Sequence, residues 1–338
     1  MHMFATTGER VLVIGTGGAL GALTATAFEH AGWEVVRASR AAPVGSASTA
    51  PEGRHIDLDD PDTIAPAAAG VDVIVNPVPH PALHLERHAL EHGGVVLNSS
   101  AISTEHTAGL GRPDAKPKGT VVTGAGIAPG LTNLVAAQLL AEHRDADELE
   151  IVFTFSAAAT AGPAGLQFVH RHLTASPWHE TTVVPLESPF GARECIGFAE
   201  GERGWLGTFA DGKKVGLYAC FHESPAQEAL LARNRRGTIT ALSPPLPVRR
   251  DNGTSKEPVA HWIAVKRRGR RLAARSIRCA GDYRGAAHAT LALAQALQDA
   301  RARGQLAAGA FAPEDLVDVA QLAPYLATAG VAIVTSAV

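Results

Sequence analysis

The sequence predicts an α/β protein built on a doubly wound parallel sheet, and two observations predict it. First, an apolar run, Arg10–Ile14, leads directly into a glycine-rich turn, Gly15–Gly21, and then into a helix-forming stretch over 22–30. Second, strand-like and helix-like segments alternate from there to Thr123. Alternation of this kind is typical of parallel strands joined by helical crossovers.

The remaining elements of this region follow in order. Strands are predicted over 33–38, 71–75, 95–97 and 121–123, and a further strand is predicted to end at 55–58. Helices are predicted over 61–69 and 83–91. Ligands of such sheets bind outside the carboxyl ends of the strands. One crevice should therefore be lined by Gly15–Gly21, Ser39-Arg40, Asp57, Asn76–His80 and Asn98–Ala101.

The glycine turn is the strongest motif, because it has the strand–turn–helix context that a dinucleotide-binding turn requires. Gly15 permits the tight turn, and Gly17 lets the backbone approach a pyrophosphate at the helix N-terminus. The spacing places Leu20 where a third glycine often stands, so Gly18 and Gly21 are expected to provide the close helix–strand packing. The predicted phosphate-binding residues are Gly15, Thr16, Gly17, Gly18, Ala19 and Leu20.

The end of the second strand bears on which nicotinamide cofactor is bound. It reads Ala38-Ser39-Arg40, and no acidic residue occurs between Glu34 and Glu52. NAD is normally held there by a carboxylate on the ribose hydroxyls, whereas a guanidinium can bind a ribose phosphate. The sequence therefore favours NADP(H) over NAD(H); an arginine that only faces solvent is the alternative. Further predicted cofactor-binding residues are Ser39, Arg40, Asp57, Asn76, Pro77, Ser99 and Ser100.

Composition excludes several function classes. The 338 residues include 30 basic and 33 acidic ones, a net charge of −3, which favours a small-molecule partner over nucleic acid. Cys195, Cys220 and Cys279 are too few and too scattered for a disulfide framework or a zinc cage. No apolar run is long enough to span a bilayer, and no signal peptide is recognisable. We therefore expect a cytoplasmic protein that binds no membrane.

The chain changes character after Thr123. A glycine-proline turn, Gly124–Asn133, opens a helix that should continue to Glu142. Longer β-rich runs follow, and the last two flank Lys266–Arg271, which predicts a hairpin with glycine at its turn. The β-rich runs are 150–156, 216–222, 259–265 and 272–279, and helices are predicted over 285–303 and from Pro313.

Four segments in this order resemble the saccharopine dehydrogenase-like (saccharopine reductase) family: GxGG at the first turn, DVIVNPVP on strand four, GAGIAPGLTN at 124–133 and GDYRGAAHATLALAQAL at 281–297. The resemblance implies an NAD(P)-binding Rossmann domain over 1–124 and an inserted α+β substrate domain over 125–280, whose open sheet covers the active site and often dimerises. It also implies that the C-terminal helices, 281–338, return to the first domain. One departure is Asn98-Ser99-Ser100, where the family often has an aspartate-containing turn.

Catalytic residues are less clearly marked. A Tyr-x-x-x-Lys pair is excluded, since Tyr218, Tyr283 and Tyr325 are followed four residues later by His222, Ala287 and Ala329. Histidine can transfer protons near neutral pH, which makes His80 and His222 the catalytic candidates. Most members of the resembling family reduce a C=N bond or run the reverse oxidation, and two alternatives stay open for such a reaction: a histidine that transfers the proton, or an iminium intermediate that needs no essential catalytic side chain. The predicted substrate-binding residues are Gly126, Pro129, Gly130, His170, Arg171 and His172.

No metal site is predicted. His84, His88 and His92 share one helix face, but no acidic HExxH arrangement accompanies them, and a solvated helix face explains them more simply. The residues favour an NADP(H)-dependent oxidoreductase, and the family resemblance implies that it acts on an imine or secondary amine of an amino-acid-like substrate, in a homodimer. Two alternatives remain open: a non-catalytic NADP(H)-binding sensor, and a C=O or C=C reductase on the same fold.

Overall fold

The structure is a computed structural model, and it forms two compact units. One unit comprises Met1–Gly130 with Ala286–Val317, and the other comprises Leu131–Gly285 with Asp318–Val338. Within these ranges the structure describes residues 8–42, 53–100, 109–110, 116–156, 180–186, 190–198, 206, 208–237 and 258–336.

The first unit contains a seven-stranded parallel sheet of doubly wound order. Its strands are β1 (Arg10–Ile14), β2 (Glu34–Ser39), β3 (Arg54–His55), β4 (Val73–Asn76), β5 (Val95–Asn98), β6 (Thr120–Thr123) and β13 (Gly309–Phe311). The spatial order is β13-β6-β5-β4-β1-β2-β3, and every neighbouring pair is parallel. The order reverses beside β1, which is where such sheets bind ligands.

Helices cover this sheet because its strands are apolar on both faces. They are α1 (Ala19–His30), α2 (Ile64–Ala68) after a 3-10 turn over Pro61–Thr63, and α3 (His84–His92). Phe28 at the end of α1 packs edge-on against Trp33, with ring centroids 5.1 Å apart, and both are buried. The predicted parallel sheet is thus confirmed, although β3 has only two residues and β13 was not predicted.

The second unit contains a mixed seven-stranded sheet, with order β14-β12-β11-β7-β10-β9-β8. Its strands are β7 (Glu148–Phe155), β8 (Thr181–Pro185), β9 (Ala192–Gly197), β10 (Lys214–Phe221), β11 (Pro258–Arg267), β12 (Arg270–Ala280) and β14 (Ala332–Ser336). β7 and β10 are parallel, and the other pairs are antiparallel. The predicted hairpin is present as β11–β12, with Arg268 and Gly269 both at positive φ in its turn.

The remaining helices are α4 (Leu131–Glu142), α5 (Ser224–Arg235), α6 (Asp282–Ala302) and α7 (Val319–Thr328). Helix α4 packs on β11, β12 and β7, where Arg275 donates two hydrogen bonds to the carboxylate of Glu142.

The C-terminal segment is divided between the units rather than returning whole to the first. Residues 286–317 belong to the first unit, whereas 318–338 belong to the second, because β14 extends the second sheet by pairing with β12. Strand pairing along five residues, Ala332–Ser336, fixes this segment there. Among the helices that the structure describes, none combines the length and apolar character needed to cross a bilayer.

Candidate functional site

The glycine turn lies at the carboxyl end of β1. Gly15 has φ +67°, which glycine adopts without strain, and its N–H donates to Ala38 O of β2 at 2.8 Å. Gly18 N–H donates back to Gly15 O at 2.9 Å, which closes the turn immediately before α1 begins at Ala19. The chain therefore passes from strand to helix in the space of four residues.

Gly17 and Gly21 have different roles in this turn. A Cβ on Gly21 would lie 2.3 Å from Gly15 O, so only glycine lets α1 approach the strand end this closely. A Cβ on Gly17 would meet nothing within 4 Å, and Gly17 is exposed. No side chain caps α1 at Gly18. The turn thus presents bare backbone at a helix N-terminus, which suits the pyrophosphate of a dinucleotide.

The ends of β2 and β3 lie beside this turn through direct strand pairing, Ser39 opposite His55. Ser39 O accepts the N–H of Ile56 at 3.2 Å, whereas the Arg40 side chain is exposed. Asp57 makes a hydrogen bond within its own loop: its Oδ1 accepts the N–H of Asp59 at 3.1 Å. Arg40 is therefore exposed just after β2, and its role in binding a ribose phosphate stays a prediction.

A buried carboxylate ties together the ends of β4 and β5. Glu86 on α3 is 1% exposed, and its Oε1 accepts hydrogen bonds from Asn76 Nδ2 at 3.0 Å and Asn98 Nδ2 at 2.6 Å. Each amide oxygen in turn shapes the loop after its strand. Asn76 Oδ1 accepts the N–H of Val78, and Asn98 Oδ1 accepts both the N–H and the hydroxyl of Ser100. The sequence analysis missed Glu86; an acidic residue on an otherwise buried helix face was the available signal.

The loop after β4 runs across the glycine turn. Val78 lies so close that a Cβ on Gly15 would be 2.5 Å from Val78 Cγ2. Farther along, His80 Nε2 lies 2.9 Å from Asp59 Oδ1, in the loop after β3. The His80 side chain is mostly buried and that of Asp59 mostly exposed. His80 is thus held by a carboxylate at this edge, and its role in catalysis stays a prediction.

The glycine-proline turn before α4 lies against the end of β5. Ala125 N–H donates to Asn98 O at 2.9 Å, and Thr290 of α6 donates its hydroxyl to Ala125 O at 2.8 Å. A Cβ on Gly126 would lie 3.9 Å from the Cβ of Ser99, whereas a Cβ on Gly130 would lie 2.2 Å from Gly126 O. Gly130 is therefore required by the turn itself, and Gly126 neighbours the predicted crevice.

The structure thus brings all thirteen predicted cofactor residues to one edge of the first sheet. Those at the strand ends or in the turns that follow them are Gly15, Thr16, Gly17, Gly18, Ser39, Arg40, Asp57, Asn76, Pro77, Ser99 and Ser100, with Ala19 and Leu20 opening α1. His170, Arg171 and His172 lie outside the described residues.

A second polar cluster occurs in the other unit, where β7, β10 and β12 end. Ser156 donates its hydroxyl to Glu223 Oε1 at 2.5 Å and its N–H to Asp282 Oδ2 at 3.3 Å. Burial, followed by the charge of Glu223, raises the pKa of Asp282 to about 7, against the opposing bond from Ser156. His222, the second catalytic candidate, stacks edge-on with Phe190 at 4.9 Å in the same loop as Glu223. Asp282 and Ser156 were not predicted from the sequence, because the ends of β7 and β12 come to the same edge only through the pairing of both strands with β11.

Metal ligation has no support within the described part of the chain. No group of three or more histidine, cysteine, aspartate or glutamate side chains is arranged to hold an ion there. The rings of His88 and His92 stack with centroids 4.4 Å apart, and burial, then the proximity of His92, lowers the pKa of His88.

No protein-family model matches the chain, and no curated protein is significantly similar to it. Several solved structures are similar to it at low identity. They include a mutant meso-DAP dehydrogenase of Clostridium tetani E88 (10% identity, 93% of this chain and 96% of that one, TM-score 0.46) and a putative myo-inositol dehydrogenase of Sinorhizobium meliloti 1021 (14%, 95% of each, TM-score 0.45). The WlbA dehydrogenase of Thermus thermophilus, solved with NAD and UDP-GlcNAcA, matches at 16% identity over 95% and 94%, with a TM-score of 0.39. The fold assignment itself stands on the strand order.

Proposed function

We propose that this chain is an NADP(H)-dependent oxidoreductase. The observation that carries the proposal is the combination of two glycines in the turn after β1. Gly17 leaves the backbone accessible to a ligand, and Gly21 lets α1, which has no side-chain cap, pack closely against the end of the strand. A doubly wound sheet binds dinucleotides at this place.

The proposed cofactor contacts follow the strand ends. The backbone of Gly15–Leu20 would hold the pyrophosphate, and Ser39 with Arg40 would hold the ribose phosphate. Asn76, Pro77, Ser99 and Ser100 would line the nicotinamide end, where Glu86 fixes both turns. The bound nicotinamide would supply the hydride, and the chain's own residues orient it and exclude water.

The proposed reaction is reduction of an imine of an amino-acid-derived substrate, or oxidation of the corresponding secondary amine, as the saccharopine reductase resemblance implies. His80 and His222 remain candidates for proton transfer, with Gly126, Pro129 and Gly130 as substrate contacts. A homodimer is proposed on the same ground. A non-catalytic NADP(H) sensor and a C=O or C=C reductase are the alternatives.

Substitution of Gly17 tests the cofactor site directly. Gly17→Val should abolish NADPH binding measured by calorimetry while leaving the melting temperature near that of the wild type, because the side chain enters space that the pyrophosphate needs. Gly17→Ala should weaken binding to a smaller degree. Gly21→Ala is the contrasting variant: its Cβ meets Gly15 O, so stability should fall. Unchanged NADPH affinity in Gly17→Val would overturn the assignment.

A substrate screen separates the functional alternatives. Amine–carbonyl pairs, simple ketones and activated alkenes should be offered with NADPH, and cofactor consumption followed by absorbance. Turnover restricted to amine–carbonyl pairs supports imine reduction. Tight NADPH binding with no turnover across the screen would instead support a sensor.

A further inference from the structure

Two of the three cysteines face each other across neighbouring strands of the second sheet. The pairing of β9 with β10 sets Tyr218 opposite Gly197 and Ala219 opposite Ile196. Continuing this register by one residue sets Cys220 opposite Cys195. Both cysteines belong to the same buried cluster, so their side chains lie on one face of the sheet.

The hydrogen-bond pattern places this cysteine pair where side chains approach most closely. Phe198 N–H donates to Leu217 O at 2.8 Å, which marks that pair, and Ala219–Ile196 two residues on, as hydrogen-bonded positions. Cys220–Cys195 therefore occupies a non-hydrogen-bonded position, where opposing Cα atoms lie about 4.5 Å apart. Disulfides span Cα separations of about 4.4–6.8 Å, so a bond can form with little backbone movement.

The strands begin to separate just beyond the pair. At the next hydrogen-bonded position a side chain is inserted: Gln227 accepts the N–H of Phe221 at 2.7 Å and donates its own amide to Glu194 O at 2.5 Å. The cysteine pair thus lies between Ala219–Ile196, the last directly paired position of β9 and β10, and the inserted Gln227 side chain. There the strands can adjust their separation when a covalent bond forms.

The two sulfurs differ in their surroundings. The hydrogen bond from Cys195 lowers the pKa of Cys220, with the Thr154 hydroxyl, 3.7 Å from its sulfur, and the Arg193 charge acting in the same direction against burial. The same hydrogen bond raises the pKa of Cys195. Cys279 provides the contrast: it is a single buried thiol whose pKa is raised by burial and then by the charge of Asp282.

We propose that Cys195 and Cys220 form a reversible intramolecular disulfide when the folded protein meets a small hydroperoxide. The Cys220 thiol loses its proton, and the thiolate attacks the O–O bond, giving a sulfenic acid; the leaving alkoxide, or hydroxide from hydrogen peroxide, takes up that proton. The Cys195 thiol then attacks that sulfur, forming the S–S bond and releasing water. Two thiols are oxidised by two electrons and one peroxide is reduced. Because both sulfurs are buried, a small oxidant is needed rather than a bulky disulfide.

The test is a thiol count on the full-length protein after hydrogen peroxide treatment, with alkylation under denaturing conditions and peptide mapping. The wild type should fall from three alkylated thiols to one. The remaining thiol should be Cys279, the chain should be lighter by two hydrogens, and dithiothreitol should restore all three. Cys279→Ser is the matched control and should still lose two thiols. Cys195→Ser should form no intramolecular disulfide, and its Cys220 should react with dimedone after peroxide treatment.

The thiol count of the wild-type protein tests the disulfide proposal even if Cys195→Ser does not fold. Retention of all three thiols, loss of Cys279 at the same rate as the other two, or disulfides only between chains would each overturn the proposal. None of these outcomes depends on NADPH binding, so the proposal stands or falls separately from the proposed function.

Discussion

Each of the two sheets gathers a carboxyl group at the edge where parallel strands end, and the two groups are held in different ways. In the first unit, Oε1 of Glu86 accepts two amide donors that in turn shape the loops after β4 and β5. In the second unit, Asp282 accepts one backbone N–H at 3.3 Å, and its Oδ1 is buried without a hydrogen-bond partner among the described residues.

The difference separates a carboxylate that receives two side-chain donors from one that receives a single backbone donor. A buried acceptor that receives several donors fixes the groups that donate to it. A buried acceptor with few donors favours its protonated form, as the raised pKa of Asp282 indicates. The first edge is therefore suited to holding loops in one arrangement, and the second to changing charge near neutral pH.

Removing the first carboxylate should have the larger effect on stability. Glu86→Ala leaves the buried amides of Asn76 and Asn98 without an acceptor. At roughly 1–3 kcal/mol for each unsatisfied donor, the free energy of unfolding should fall by about 2–6 kcal/mol. Urea denaturation followed by circular dichroism measures this.

Glu91→Ala on the same helix is the control, since Glu91 is exposed and its loss should change stability by less than about 0.5 kcal/mol. A Glu86 variant as stable as this control would mean that the carboxylate does not hold the two loops.

Asp282 should instead affect how the free energy of unfolding depends on pH. Its pKa of about 7 in the folded protein means that the folded chain keeps a proton that the unfolded chain releases above about pH 4. The free energy of unfolding should therefore fall as pH rises from about 4 to about 7 and then level off, by at most about 4 kcal/mol. Asp282→Asn should lack this slope, measured as melting temperature against pH.

Two titratable groups near Asp282 interact with its charge. The Glu223 charge raises the pKa of Asp282, and the Asp282 charge contributes to the raised pKa of Cys279 in β12. Asp299→Asn, at an exposed position near the other end of α6, should keep the wild-type slope. If Asp282→Asn also keeps it, the carboxyl is not the titrating group.

The fold of the first unit could be predicted closely because the sequence signals that specify it are adjacent along the chain. An apolar strand, a glycine turn and a helix follow one another in the sequence, and β1 has the predicted bounds, Arg10–Ile14. Parallel pairing then places every strand end at one edge. The Glu86 bridge could not be predicted in this way, since it joins groups 10 and 12 residues apart whose meeting depends on how α3 packs.

The second unit was predicted less completely because its sheet is assembled from distant segments. β8 and β9 are short and partly polar, and β14 joins β12 across more than fifty residues. No turn signal in the sequence links β12 to β14. The approach of Cys195 to Cys220 is of the same kind, since it depends on the register of β9 against β10.

The smallest effect is expected on cofactor choice, at the end of β2, where the first edge also carries the exposed side chain of Arg40. Arg40→Ala should weaken NADPH binding by about 1.5–3 kcal/mol, as for a lost charged hydrogen bond, and should leave NADH binding nearly unchanged. Calorimetric titration of both cofactors measures the difference. Arg37→Ala on the same strand is the control, because that guanidinium is bound to Glu29 at 2.7 Å and should affect neither affinity. Equal losses for the two cofactors in Arg40→Ala would show that the guanidinium does not hold a ribose phosphate.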